Sequence, residues 1–163
     1  MKNRYFLLVF LLFLIPFPAF ADNDSEDAIE DLGWVAIGAG VIANVPFIAF
    51  NKVRKFAVKT GGSTVQIARQ MAPSYKPILN FHIILNSIGY FSGMLHGLLL
   101  SSNLEPISLS LALVMTVLMI SGVLLRYASS RNAKMFNRLL HGQFGLMILL
   151  GGLILFHILT ADD

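Results

Sequence analysis

The apolar positions of this chain gather into four long runs, without the period-2 alternation of a strand. Residues 32–50, 77–100, 107–125 and 139–160 are each close to the about 20 residues that an α-helix needs to cross about 30 Å of hydrocarbon. Polar segments 51–76, 101–106 and 126–138 separate them. The pattern predicts an all-α integral membrane protein, a four-helix transmembrane bundle. Ahead of it, Lys2 and Arg4 precede an apolar stretch over residues 5–15, then Pro16, Pro18 and the small–x–small triplet Ala19-Phe20-Ala21. That order is expected of a cleaved signal peptide, residues 1–21. Residues 22–31 then read as an acidic extracytoplasmic linker, 32–160 as the four-helix membrane domain and 161–163 as a short outer tail.

Composition agrees with the pattern. The 163 residues are 56% hydrophobic and only 13% charged, about half the charge of a soluble domain. A soluble enzyme, a disordered chain and a nucleic-acid module are excluded. The chain has no cysteine, so disulfides, thiolate metal sites, iron–sulfur clusters and covalent c-type haem attachment are excluded too.

Charge placement sets the expected topology. Beyond the signal there are ten Lys and Arg: Lys52, Arg54, Lys55, Lys59, Arg69, Lys76, Arg126, Arg131, Lys134 and Arg138. All lie in the first and third connections. The nine acids, Asp22, Asp24, Glu26, Asp27, Glu30, Asp31, Glu105, Asp162 and Asp163, all lie on the other side. Cations stay in the cytoplasm, so a multi-pass chain in the cell membrane with both mature termini outside is expected.

No predicted span contains Asp, Glu, Lys or Arg, yet all four histidines, His82, His96, His141 and His157, lie within spans. An ionisable group at membrane depth marks a functional site by default, and neutral imidazole is a common metal and haem ligand. The second and fourth spans run in the same direction. His82 and His141 lie near the cytoplasmic ends, His96 and His157 near the outer ends. This sorts them into an inner pair, His82 with His141, and an outer pair, His96 with His157. Fourteen residues separate His82 from His96, about 21 Å along a helix and nearly on one face. Sixteen separate His141 from His157, which on a straight helix places them about 160° apart. Serving two sites therefore requires an irregularity, expected near Gly151-Gly152; without it only one site can form.

Other features are weighed against plain packing. Gly89, Gly93, Gly97, Gly142, Gly145, Gly151 and Gly152 would let helices or a flat macrocycle approach closely. Met115 and Met119 are read as core, and Pro46 is expected to kink the first span. Ser63 is read as the N-cap of a short interfacial helix. Gly61-Gly62-Ser63 lacks the G-x-G-x-x-G context of a phosphate cradle.

The paired histidines on alternate spans resemble those of the ferric-reductase-like transmembrane family and related di-haem cytochrome b membrane domains, over about residues 77–160 by motif and 32–160 by topology. The resemblance implies two b-type haems, the inner iron held by His82 and His141 and the outer by His96 and His157. It also implies an electron-transfer subunit of an oxidoreductase complex rather than a complete enzyme. The chain is too short for a flavin- or nucleotide-binding domain, so a quinone-type carrier or partner proteins, including an extracytoplasmic redox partner, would exchange electrons with it. Lys76, Arg126, Lys134 and Arg138 could face inner propionates, whereas an outer haem finds no cation on this chain, so unequal potentials are expected. The alternative is a cofactor-free structural membrane anchor whose histidines make only interhelical hydrogen bonds.

Overall fold

The computed structural model describes residues 25–100 and 105–160; the expected signal peptide, most of the 101–106 connection and the outer tail lie outside them. The described residues are almost all helical and contain no strand. Helix α1 spans Ser25–Thr60, α2 Thr64–Gln70, α3 Tyr75–Leu99, α4 Pro106–Tyr127, α5 Arg131–His141 and α6 Phe144–Thr160, with a single 3₁₀ turn at Ala72–Ser74. Helices α1, α3 and α4 are long and apolar enough to cross a membrane, and α5 with α6 forms a fourth candidate bent by 43°. The chain is thus a helical, multi-pass membrane protein with three spans, or four if the bent pair counts as one.

Large apolar side chains point outward along these helices, among them Ile42, Val45, Ile84, Leu113, Ile120 and Leu155. Such a surface is far larger than water tolerates and fits a hydrocarbon surround. Most of the buried positions are instead small, among them Ala39, Ala43, Ala57, Ser92 and Ser121. In lipid, helices associate through close backbone approach at small residues. Helices α1 and α3 do so antiparallel. A Cβ on Gly89 would lie 3.0 Å from the Ala36 carbonyl oxygen and 3.5 Å from Ala39 Cβ. A Cβ on Gly93 would meet Met115 Cε of α4 at 3.0 Å, so Met115 packs in the notch that Gly93 leaves. Tyr90 and Thr116 hydroxyls, 3.1 Å apart, also join α3 to α4.

Several boundaries differ from the sequence reading. Helix α1 starts at Ser25 and continues to Thr60, so residues 25–31 are helical rather than a linker and the basic residues 52–59 lie on a helical extension. Its 36 residues measure about 54 Å, well beyond a bilayer core. Pro46 sits inside this helix without ending it. The short helix expected after Ser63 forms as α2, but Ser63 makes no side-chain capping bond. The turn is set by Gly61 and Gly62, with φ of 73° and 59°, a left-handed conformation that glycine adopts without a Cβ penalty. Thr64 Oγ1 also donates to the carbonyls of Ala57 and Gly61, at 2.9 and 2.6 Å. The break in the last span is at Gly142–Gln143, not at Gly151-Gly152, which lie within α6.

The extended helix contacts are α1 with α2 and α3, α3 with α4, and α4 with α5 and α6. Among the described residues α3 makes no such contact with α5 or α6. The helices that carry the histidines face each other across a separation.

Candidate functional site

Each depth brings two imidazoles together across that separation. His82 of α3 and His141 of α5 have ring centroids 6.2 Å apart at an interplanar angle of 87°. His96 of α3 and His157 of α6 have centroids 6.2 Å apart at 89°. The two pairs share one geometry. The helix break is what makes it possible, because α5 ends at His141 and α6 takes a new direction at Phe144, so the azimuths of His141 and His157 no longer follow one helix.

The separation has chemical meaning. Two imidazoles bound on opposite sides of one iron have ring centres about 6.3 Å apart, from metal–nitrogen bonds of about 2.0–2.1 Å and about 1.1 Å from nitrogen to ring centre. Two collinear imidazoles joined by an N–H···N hydrogen bond of about 2.9 Å would have centres about 5.1 Å apart. The observed 6.2 Å is too long for the second; it is close to the first, and with nearly perpendicular rings it is also the separation of an edge-to-face ring contact, about 4.5–7 Å. Among the described residues no group of three or more His, Cys, Asp or Glu is placed to hold a metal ion. Two protein ligands per site are too few for a bare structural metal, which takes about four. They suffice for a haem iron, whose other four positions belong to the macrocycle.

Ring orientation is set by neighbouring backbone. His96 Nδ1–H donates to the Ile29 carbonyl at 2.8 Å, and His141 Nδ1–H to the Leu118 carbonyl at 2.9 Å. A carbonyl can only accept, so each Nδ1 carries a proton, and in the neutral ring the lone pair is then on Nε2. This is how histidine ligands are commonly fixed for metal binding. Ser121 Oγ, 3.3 Å from His141 Nδ1, donates to the same Leu118 carbonyl at 3.0 Å. His82 is buried and stacks on Phe47, with centroids 4.3 Å apart at 23°. Its Nδ1 lies 3.3 Å from the Ala43 carbonyl and 3.1 Å from Asn86 Nδ2.

The carbonyls arrive at these places because of helix register. Ile29, Ala36 and Ala43 are spaced by sevens on α1, as are His82, Gly89 and His96 on α3. Running antiparallel, they meet as Ala43 with His82, Ala36 with Gly89 and Ile29 with His96. A seven-residue repeat keeps one face of two supercoiled helices together. The small pair at the centre permits the approach that brings the carbonyls to both rings.

Two glycines that sequence reasoning passed over seat the rings. A Cβ on Gly33 would fall 3.0 Å from His96 Cε1, and a Cβ on Gly122 would fall 2.9 Å from His141 Cε1. The glycines singled out from the sequence divide. Gly89 and Gly93 serve helix packing, whereas Gly97, Gly145, Gly151 and Gly152 have open space where a Cβ would be. Gly142 ends α5, where a Cβ would meet the Arg138 carbonyl oxygen at 2.8 Å. Only the repeat of sevens could have pointed to the backbone acceptors, and nothing in the sequence marks Gly33 or Gly122. The chain matches no protein-family model, no curated protein and no solved structure.

Proposed function

We propose that this chain is a b-type cytochrome membrane subunit that carries electrons across the membrane through two stacked bis-histidine haems. The observation that supports it is the repeated pair geometry, two cross-helix imidazole pairs at 6.2 Å with nearly perpendicular rings. His82 and His141 hold the inner haem, and His96 and His157 the outer one. When bound, haem supplies one-electron exchange between ferric and ferrous iron. The protein residues position it: the Ile29 and Leu118 carbonyls hold two Nδ1 protons, Gly33 and Gly122 leave room for two rings, and the helix break frees the azimuths of His141 and His157 from those of one straight helix. Fourteen residues between His82 and His96 separate the sites by about 21 Å, a span suited to relaying charge between membrane faces.

In this reading a quinone-type carrier or a partner protein exchanges electrons with one site and an extracytoplasmic redox partner with the other. The chain sits in the cell membrane with its mature termini outside, after removal of residues 1–21, and its four spans include α5 with α6. It acts as part of an oxidoreductase complex. Purification after haem-replete expression tests the reading: a Soret band and about two haems per chain are expected from the two ligand pairs. Protein that is folded and lacks a Soret band would overturn it in favour of the cofactor-free anchor, which the Nδ1–carbonyl bonds to α1 and α4 also favour.

A further inference from the structure

The three histidines with assigned Nδ1 contacts are not equivalent, and the difference lies in an amide chain at the inner site. Asn44 Nδ2 donates to the Gly40 carbonyl at 2.7 Å and to Asn86 Oδ1 at 2.9 Å. Asn86 Nδ2 donates to the His82 carbonyl at 2.8 Å. These partners determine both amide orientations, because turning either side chain over would set oxygen against oxygen at a carbonyl. Asn86 therefore presents an N–H, not an oxygen, to His82 Nδ1 at 3.1 Å. A nitrogen facing a donor at that distance is best served by a lone pair. The Ala43 carbonyl needs the opposite, a proton on the same nitrogen. Its distance of 3.3 Å is longer than the 2.8 and 2.9 Å at His96 and His141 and longer than the 3.1 Å to Asn86, so the amide is the nearer of the two competing partners.

We infer that the Asn44–Asn86 pair holds His82 in the Nε2–H tautomer, so that His82, alone among the three, must move its proton to Nδ1 before it can bind a metal. The pair is a positioning device acting through His82, and it makes the inner site the one that takes up its cofactor against resistance. To hold a metal through Nε2 the ring would give up its proton there and gain one at Nδ1, facing the Ala43 carbonyl, with the Asn86 N–H displaced; the ring would stay neutral. The consequence for cofactor retention rests on the haem reading, whereas the tautomer of the empty site does not.

Two measurements test it on the full chain. In protein from haem-deficient cells labelled with 15N-histidine, nitrogen spectra should show a bare Nδ1 on His82 and a protonated Nδ1 on His96 and His141. Asn86→Leu should move His82 alone to the Nδ1–H form, and Asn44→Leu, which releases the amide, should move it part of the way. A protonated Nδ1 on His82 in the unsubstituted chain, or no change in either variant, would overturn the inference. In haem-loaded protein, Asn86→Leu should slow loss of the inner haem to a scavenger several-fold, with the outer haem as internal control. A purely structural role for Asn86 would instead speed that loss, and unchanged or faster loss counts against the proposal. Absence of a Soret band in the unsubstituted chain would defeat the haem reading and leave the nitrogen spectra to decide on the tautomer.

Discussion

Gly122 of α4 lies directly beneath His141 of α5, where a Cβ would be 2.9 Å from Cε1 and 3.2 Å from Nδ1 of the ring. The Nδ1 of the ring is bonded to the Leu118 carbonyl at 2.9 Å, one turn earlier on the same helix. The seat and the acceptor thus come from one short stretch of α4, and His141 cannot shift without losing one of them.

Substituting this seat should damage one site selectively. Gly122→Val forces overpacking that costs about 1–3 kcal/mol and pushes His141 off Leu118. Gly33→Val should do the same to His96, whose Cε1 would be 3.0 Å from the new Cβ. The expected result is loss of the inner spectral component in the first variant and of the outer in the second, read from low-temperature absorption spectra. Retention of both components in both variants would show that the glycines are not seats.

The pairing itself is open to a four-way test. His82→Ala and His141→Ala should remove one common haem component, and His96→Ala and His157→Ala the other, because each iron has only two protein ligands in this reading. If His82→Ala and His96→Ala abolish the same component and spare the second, the assignment by depth is wrong.

The bend between α5 and α6 should be required for two sites. Replacing Gly142 and Gln143 with alanine favours a continuous helix, and sixteen residues then place His141 and His157 about 160° apart. Haem content should fall from about two per chain towards one, measured as pyridine haemochrome. An unchanged content with a demonstrably straight helix would remove the bend from the mechanism.

Topology can be read directly, since the chain has no native cysteine. Cysteines placed at Ser63 and Ser130 should react with an impermeant reagent only from the cytoplasmic side, as positive-inside placement requires. A cysteine at Ser102 should react from outside. Labelling of Ser63 and Ser102 from one side would reject the four-span arrangement.

Hydropathy, charge and helical rise are properties of a chain read in one dimension, and they determined much here. The apolar runs around α1, α3 and α4 mark helices long enough to cross a bilayer, and the run around α6 makes a fourth candidate together with α5, because a helix is the simplest structure that satisfies its backbone in lipid. The residue rise alone sorted His82 with His141 and His96 with His157, and the structure brings the members of each pair to 6.2 Å. The sixteen-residue spacing also led to the expectation of an irregular last span if both histidines were to serve sites, and the structure has a 43° bend between α5 and α6.

What tertiary structure decided concerns azimuth and register, which depend on where helices touch. The break came at Gly142–Gln143, where α5 closes at a glycine C-cap and packs on α4. Gly33 and Gly122 became seats only when rings from other helices were laid over them. The Ile29 carbonyl became an acceptor for His96, and the Ala43 carbonyl a neighbour of His82 Nδ1, only when Ala36 met Gly89 and fixed the antiparallel register. Asn44 and Asn86 lie 42 residues apart in the chain, and that same register joins them beside His82. A backbone carbonyl or an amide acquires such a role from its neighbour across the interface, and the neighbour is supplied by packing.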